Sequence, residues 1–206
     1  MVRLDPNQYL AKGGGRLVFQ HPQNRGLLIK VHRPDRLKND GPERRFRAEL
    51  AEVNQYTRLA TRLGHCPVNV AAIYGLEDTN MGLGLVVEKV SNGDGELCMT
   101  LRHYLQCGSA DWESAEKLIR EFFAFSRVYG VVLRDLRASN FSVVVNQEGR
   151  PLRIVLIDGL GELTLIPLRS KSMFANRLWL LAAERDFLRS LTRLYPSVAR
   201  ATPPFN

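Results

Sequence analysis

The stretch Val132-Leu-Arg-Asp-Leu-Arg-Ala-Ser-Asn-Phe141 is the most informative segment of the 206-residue chain. It follows a segment, Trp112 to Tyr129, whose apolar residues recur at helical spacing, and it precedes an apolar run typical of a strand. The stretch is therefore predicted to be a loop that carries Asp135 and, five residues later, Asn140. Because a carboxylate can accept a proton and an amide oxygen can bind a metal ion, both are candidate site residues.

A second carboxylate ends an apolar run in the stretch Ile154-Val-Leu-Ile-Asp-Gly-Leu-Gly-Glu162. Two apolar runs, Phe141 to Val145 and Ile154 to Ile157, flank the turn sequence Asn146-Gln-Glu-Gly149, so a β-hairpin is predicted. The strand ends at Asp158, and the glycine after it predicts a turn. This order places the Asp158 carboxylate at the mouth of a cleft.

The amino-terminal part of the chain supplies a buried cation and a helix with two acidic candidates. Lys30 lies in the strand-like run Leu27-Leu-Ile-Lys-Val31, and an inward-pointing lysine can neutralise phosphate charge if a carboxylate holds it. On the predicted helix from Pro42 to Leu63, Glu49 is the best candidate partner and Glu52, one turn later, is the alternate. Ahead of the strand, the backbone amides of Gly13-Gly-Gly15 can reach a phosphate.

The order of predicted elements indicates an α+β fold. Strands come first, then a helix, further strands, and finally helices with a late hairpin. The linker-like segment Ser91-Asn-Gly-Asp-Gly95 is predicted to divide one domain, 1–206, into two lobes. The N-lobe, 1–90, has a small antiparallel sheet, and the C-lobe, 91–206, is helical and short, with a final helix from Phe174 to Tyr195.

Apolar stripes predict which helix faces are buried. In the final helix the stripe consists of Phe174, Leu178, Leu181, Leu188 and Leu191. In the first long helix it consists of Phe46, Leu50, Val53 and Thr57.

The order of the candidate site residues resembles that of the protein kinases. Those enzymes carry a lysine on the third strand, a glutamate on the next helix, an Asp and Asn in the catalytic loop, and a final Asp after a strand. The resemblance implies ATP and Mg²⁺ as cofactors. It assigns proton acceptance from an attacking hydroxyl to Asp135, metal binding to Asn140 and Asp158, and phosphate neutralisation to Lys30 held by Glu49.

The same resemblance implies a nucleotide-binding set and also shows departures from the kinase pattern. The implied set consists of Gly13, Gly14, Gly15, Lys30, Glu88 and Val90. Leu133 replaces the usual histidine of the catalytic loop, and Gly159 stands where a phenylalanine is expected. No A-P-E segment follows Glu162, so a conventional kinase that docks a protein substrate is not expected.

Three stretches resemble the bacterial YrbL family. They are His21-Pro22 with Ile29-Lys-Val31, the segment Arg47-Ala-Glu-Leu50, and above all the run from Asp158 to Leu168, which contains Gly161-Glu162 and Ile166-Pro167. The resemblance covers the chain from Leu10 to Leu191. It implies a kinase-like fold and gives little indication of the substrate.

Three functions stay open on the sequence alone. The first is a small phosphotransferase that phosphorylates a hydroxyl of a non-peptide or unknown acceptor. The second is a pseudokinase, a regulatory binding module without phosphotransfer; the degraded glycine loop and the missing phenylalanine favour it. The third is a basic adaptor for a polyanion.

Charge and composition bear on partners and location. The net charge of +8 concentrates in the stretch from Arg33 to Arg47 and in the carboxyl-terminal arginines, and such patches attract polyanions. No basic stripe is interleaved with aromatic residues, so nucleic acid is not an expected partner. The protein is expected to be cytoplasmic for three reasons. Its three cysteines form no C-x-x-C pair and their odd number argues against a disulfide framework. No apolar run is long enough to span a bilayer, and no secretory signal pattern is present.

Overall fold

The computed structural model describes residues 1–36, 42–107, 109–163 and 168–196. Several features of the sequence lie outside the described residues. They are part of the basic stretch from Arg33 to Arg47, the Phe46 side chain and the Ile166-Pro167 dipeptide. The tail from Thr202 to Asn206, which the sequence predicts to be frayed, also lies outside them.

The described residues form a mixed α+β structure, which confirms the predicted class. Seven strands are present: β1 Ala11–Lys12, β2 Arg16–Gln20, β3 Leu27–His32, β4 Ile73–Thr79, β5 Gly82–Glu88, β6 Phe141–Val145 and β7 Pro151–Leu156. Five α-helices accompany them: α1 Pro42–Leu63, α2 Leu101–Gln106, α3 Trp112–Tyr129, α4 Leu168–Lys171 and α5 Met173–Leu194. Short 3₁₀ turns occupy Pro34–Arg36 and Ala138–Asn140.

An antiparallel sheet in the order β1-β2-β3-β5-β4 collects the first five strands. One face packs against the amino-terminal segment through Val2, Leu4, Leu17, Phe19, Ile29, Val31 and Val86. The opposite face presents Leu28, Leu85 and Val87 to Val53 of α1. Gly84 of β5 has to be a glycine, because a Cβ there would lie 2.5 Å from Ile29 Cγ2. This close approach keeps β3 and β5 in contact.

The second core lies among the helices and the β6–β7 hairpin. Phe122 and Phe123 of α3 pack edge-on, with ring centroids 5.9 Å apart, and Phe122 also contacts Phe141 of β6. Asp111 caps α3 by accepting from the Ser114 amide at 3.0 Å, and Gly130 ends the helix in a left-handed conformation. The contact between Phe122 and Phe141 therefore fixes the start of the β6–β7 hairpin against α3.

The buried faces of two helices differ from the predicted stripes. On α5, Leu180, Phe187, Leu188 and Leu191 are buried, whereas Phe174, Leu178 and Leu181 are exposed. On α1, Leu50 is exposed, while the polar Glu49, Glu52 and Gln55 are buried with Tyr56 and Leu59. The predictions for Leu188 and Leu191 are confirmed, whereas those for Phe174, Leu178, Leu181 and Leu50 were wrong. On α1 the reason is that polar residues with hydrogen-bonding partners occupy the buried face.

Candidate functional site

Lys30 lies on the inner face of the sheet, where β3 approaches the end of β7. It is opposite Val18 of β2 and Leu85 of β5, and only 7% of the residue is exposed. Its ammonium group donates a hydrogen bond to the Ile157 carbonyl. Burial lowers the pKa of Lys30, and the nearby carboxylates, Asp158 above all, oppose this effect. Lys30 therefore joins the five-stranded sheet to the segment after β7.

The Asp158 carboxylate lies directly beyond that carbonyl. One of its oxygens accepts from the Gly159 amide at 2.6 Å and also from the Arg16 guanidinium. Burial works to raise the pKa of Asp158, but the charges of Lys30 and Arg16 outweigh burial and hold the pKa well below its usual range. Asp158 is therefore ionised at neutral pH and presents a hard oxygen donor.

The loop that carries Asp135 and Asn140 packs against the turn at Gly159. The Asn140 side-chain amide donates to the Asp135 carbonyl at 3.0 Å, and Asn140 O accepts from the Ile157 amide at 2.8 Å. A Cβ at Gly159 would lie 2.8 Å from the Asp135 carbonyl and 3.3 Å from Asn140 Nδ2. The backbone at Gly159 also has φ +86°, which favours glycine. Close packing accordingly explains the glycine that replaces phenylalanine.

Two further backbone hydrogen bonds tie the same loop to the segment after β7. The Arg134 amide donates to the Gly159 carbonyl at 2.7 Å, and the Gly161 amide donates to the Val132 carbonyl at 2.8 Å. They flank the antiparallel bridge between Leu133 and Leu160. Leu133 is fully buried, so the position that holds histidine in kinases is here a core position. The Asp135 carboxylate itself is 38% exposed and pairs with Arg137 Nε at 2.9 Å.

The two acidic candidates on α1 have different partners. Glu52 accepts from Arg16 at 2.9 and 3.2 Å and from Arg134 at 3.0 Å, and its side chain is 3% exposed. Glu49 instead contacts His32 Nε2 at 2.6 Å. The expected pairing of Lys30 with Glu49 is therefore not the observed one. Glu52, the alternate, is the α1 carboxylate whose charge acts on Lys30.

Arg16 is the site residue that the sequence interpretation missed. It lies at the start of β2, on the same face as Lys30, because its strand position is two residues from Val18, which stands opposite the lysine. It bridges Glu52 and Asp158. Burial alone would lower the pKa of Arg16. The charges of Glu52 and Asp158 outweigh burial and raise the pKa above its ordinary value, so Arg16 stays charged. The alternation along β2 was the available signal: Leu17 and Phe19 face one core, which leaves Arg16 on the other face.

The glycine loop is a tight turn between β1 and β2. The Gly13 amide donates to the Arg16 carbonyl at 2.8 Å, so this amide is already engaged. The Arg33 side chain donates to the Gly13 carbonyl at 3.1 Å, and the Arg33 amide donates to the Gly15 carbonyl at 2.9 Å. A Cβ at Gly14 or Gly15 would meet nothing within 4 Å. Of the three amides predicted to reach a phosphate, the Gly13 amide is therefore used within the turn itself.

Glu88 and Val90 bracket the end of β5. The Glu88 carboxylate accepts from the Ala72 amide at 3.0 Å, and the Glu88 amide donates to the Ala72 carbonyl at 2.8 Å. Val90 is buried, and its carbonyl accepts from the Cys98 amide at 3.0 Å. Both residues thus hold the segment that leaves the sheet. Neither has a hydrogen bond or ion pair with the charge cluster, which consists of Arg16, Lys30, Glu52 and Asp158.

A cavity of about 20 Å³ lies between the charged groups and the apolar side chains below them. Lys30, Glu52 and Asp158 form its polar wall, and Val87 and Leu156 are among its apolar lining residues. This volume holds about one water molecule. A larger ligand therefore enters only if side chains move. Arg16 bridges two residues of the polar wall, Glu52 and Asp158, and would have to be among those that move.

Asp158 and Asn140, the predicted metal ligands, carry oxygen atoms of the kind that hard cations prefer. Carboxylate and amide oxygens bind Mg²⁺, which usually keeps waters and phosphate oxygens as its other ligands. Within the described residues, no group of three or more His, Cys, Asp or Glu side chains lies together as a metal-binding cluster. The same residues include no helix that is long and apolar enough to cross a membrane.

Comparison with known proteins identifies the family. No curated protein matches the chain significantly. A sequence model of the family described as PhoP regulatory network protein YrbL matches residues 2–192, which is nearly the whole chain. This match confirms the resemblance drawn from the stretches around Ile29, Arg47 and Asp158. The chain belongs to the YrbL family of PhoP regulatory network proteins.

Proposed function

We propose that this protein binds a magnesium–nucleotide complex in a protein-kinase-like arrangement and transfers a phosphoryl group to a hydroxyl. One observation carries the proposal. Three segments of the chain meet here: β3 with Lys30, the loop with Asp135 and Asn140, and the turn after β7 with Asp158, joined by the bond from Lys30 to the Ile157 carbonyl and the packing of Gly159 on the loop. Coincidence does not readily produce this combination in the order that kinases use.

The chemistry of each residue supports its proposed role. Lys30 is a buried cation that would attract nucleotide phosphates, and Glu52, rather than Glu49, would be the helix carboxylate of the pair. Asp158 and Asn140 would hold Mg²⁺, which when bound neutralises phosphate charge. The Asp135 carboxylate is partly exposed, so an acceptor hydroxyl can approach it and give up its proton there.

Nucleotide binding would require Arg16 to leave Asp158. A metal ion and a guanidinium compete for the same oxygen, and the cavity beside it is too small for a phosphate group. The observed conformation is in this view the closed one. Rotation of the Arg16 side chain alone would free the carboxylate, since the backbone of β2 stays paired with β3.

Turnover of ATP in the presence of Mg²⁺ tests the proposed transfer. Asp135→Asn removes the proton acceptor and is expected to lower the turnover number by about 100-fold or more, with little change in nucleotide affinity. Asp78→Asn, on exposed β4, is the matched control and should behave as the wild type. Unchanged turnover in Asp135→Asn would refute the assignment of the base.

A second candidate, a nucleotide-responsive regulatory module without transfer, is favoured by the Arg16 bridge. An arginine that already neutralises Glu52 and Asp158 replaces the charge that a metal would supply. Wild-type protein that binds nucleotide but shows no turnover with any hydroxyl acceptor or water would select this candidate over the first.

A further inference from the structure

A groove of about 440 Å³ runs along α1, separate from the charge cluster around Lys30. One wall is a face of α1, and the other is formed by Gly161 to Leu163 together with Ser170 and Lys171. None of these residues has a role in the proposed nucleotide site. The groove is therefore an independent feature of the surface.

The cations of the groove are spaced along its length. Arg47 and Arg58 are eleven residues apart on α1, which places them on the same face and about 16 Å apart along the helix axis. Lys171 faces them from the opposite wall. Among the described carboxylates, none lies within ion-pair distance of Arg47, Arg58 or Lys171.

The carboxylate in the groove does not offset these charges. Glu162 accepts from Arg169 at 3.1 Å and from the amide and hydroxyl of Ser170 at 3.0 Å each, and its side chain is 3% exposed. Arg169 in turn stacks on Trp179, with Cζ 4.2 Å from the ring centroid. Arg169 therefore neutralises Glu162. The other charged lining residues, Arg47, Arg58 and Lys171, give the groove a formal charge of +3.

The remaining lining residues favour a peptide over a nucleic acid. Leu50 and Leu163 each line the groove and are 48% exposed, so an apolar group of the ligand would be favourably buried there. Among the described lining residues none is aromatic, and aromatic side chains are the stacking platform that single-stranded nucleic acids use. Asn54 adds hydrogen-bonding capacity beside the arginines.

We propose that this groove binds an extended acidic peptide segment of a partner protein that also contributes one apolar side chain. About five extended residues span the 16 Å between the two arginines. The chain itself has no run of three acidic residues, and its net charge of +8 disfavours a second copy. The segment therefore comes from a different, acidic protein.

Fluorescence anisotropy with a labelled acidic peptide of sequence EELEELEE tests this inference without nucleotide. Saturable binding is expected with a dissociation constant below about 100 µM at low salt, weakening as salt rises. The triple variant Arg47→Gln/Arg58→Gln/Lys171→Gln should weaken binding by at least about tenfold. The uncharged peptide QQLQQLQQ should not bind.

The matched control removes the same charge elsewhere. Arg25→Gln/Arg102→Gln/Lys117→Gln changes three exposed cations outside the groove and should leave affinity within about twofold. All six positions are at the surface, so thermal unfolding should show both triple variants folded. Two results with the peptide would overturn the inference: no binding, or equal weakening of binding in both triple variants. A third would be an oligothymidylate that binds the wild type as tightly as the acidic peptide does and no longer binds the groove variant.

Discussion

At the scale of single residues, the loss of the Glu52 carboxylate should destabilise the fold. This buried carboxylate lies between Arg16 and Arg134, and its removal leaves two cations without their shared partner. We expect Glu52→Gln to lower the free energy of unfolding by about 3 kcal/mol. Glu49→Gln should cost about 1 kcal/mol or less, because Glu49 has one partner among the described residues, His32, whose side chain is partly exposed. Urea denaturation at neutral pH measures both, and equal losses would contradict the pairing described.

The residues of the candidate site were only partly predictable. Lys30, Asp135, Asn140 and Asp158 follow from their order and from the strands and loops around them. The choice between Glu49 and Glu52 did not follow, because residues three apart lie on neighbouring parts of one helix face. Packing of α1 fixes the rotation that turns Glu52 towards the sheet.

Arg16 escaped prediction for a related reason. The alternation along β2 shows which face of the sheet Arg16 occupies, but it does not show which residues lie there. The role of Arg16 depends on two carboxylates that lie 36 and 142 residues further along the chain. Such a contact exists only once the sheet, α1 and the β6–β7 hairpin have assembled.

At the scale of elements, the rotation of α5 separates two similar leucines. Leu180 is fully buried against the helical core, whereas Leu178 is about half exposed. Leu180→Ala should lower the free energy of unfolding by about 2 to 5 kcal/mol through lost burial and a cavity. Leu178→Ala should change it by less than about 0.5 kcal/mol. Thermal or urea unfolding compares the two, and a larger loss at Leu178 would show that α5 is rotated differently.

Helix positions were predictable, but the buried faces were less so. The segments 42–63 and 112–129 follow from their periodicity and from the glycines after them. On α5, apolar residues occur on both faces, so periodicity alone could not choose between Leu178 and Leu180. On α1, Glu52 and Gln55 are buried because Arg16, Arg134 and the Gly130 carbonyl satisfy them. A hydrophobic pattern cannot indicate such partners.

At the scale of the whole molecule, the site lies where the five-stranded sheet meets the segments before β6 and after β7. The sheet supplies Lys30 and Arg16, α1 supplies Glu52, and the helical part supplies Asp135 and Asp158. The α+β class followed from the order of elements along the chain, and family membership followed from the stretch around Asp158. What the sequence could not predict is that charged side chains, rather than an open cleft, fill this junction.

The unfolding temperature with and without ATP tests whether nucleotide binds at this junction. At saturating ATP and Mg²⁺ the wild type should gain about 5 °C, because a ligand that binds only the native state stabilises it. Lys30→Met and Asp158→Asn should lose that gain, while Lys117→Met, an exposed lysine on α3, should keep it. No shift in the wild type at millimolar nucleotide, or a shift that survives in both site variants, would contradict a nucleotide site between Lys30 and Asp158.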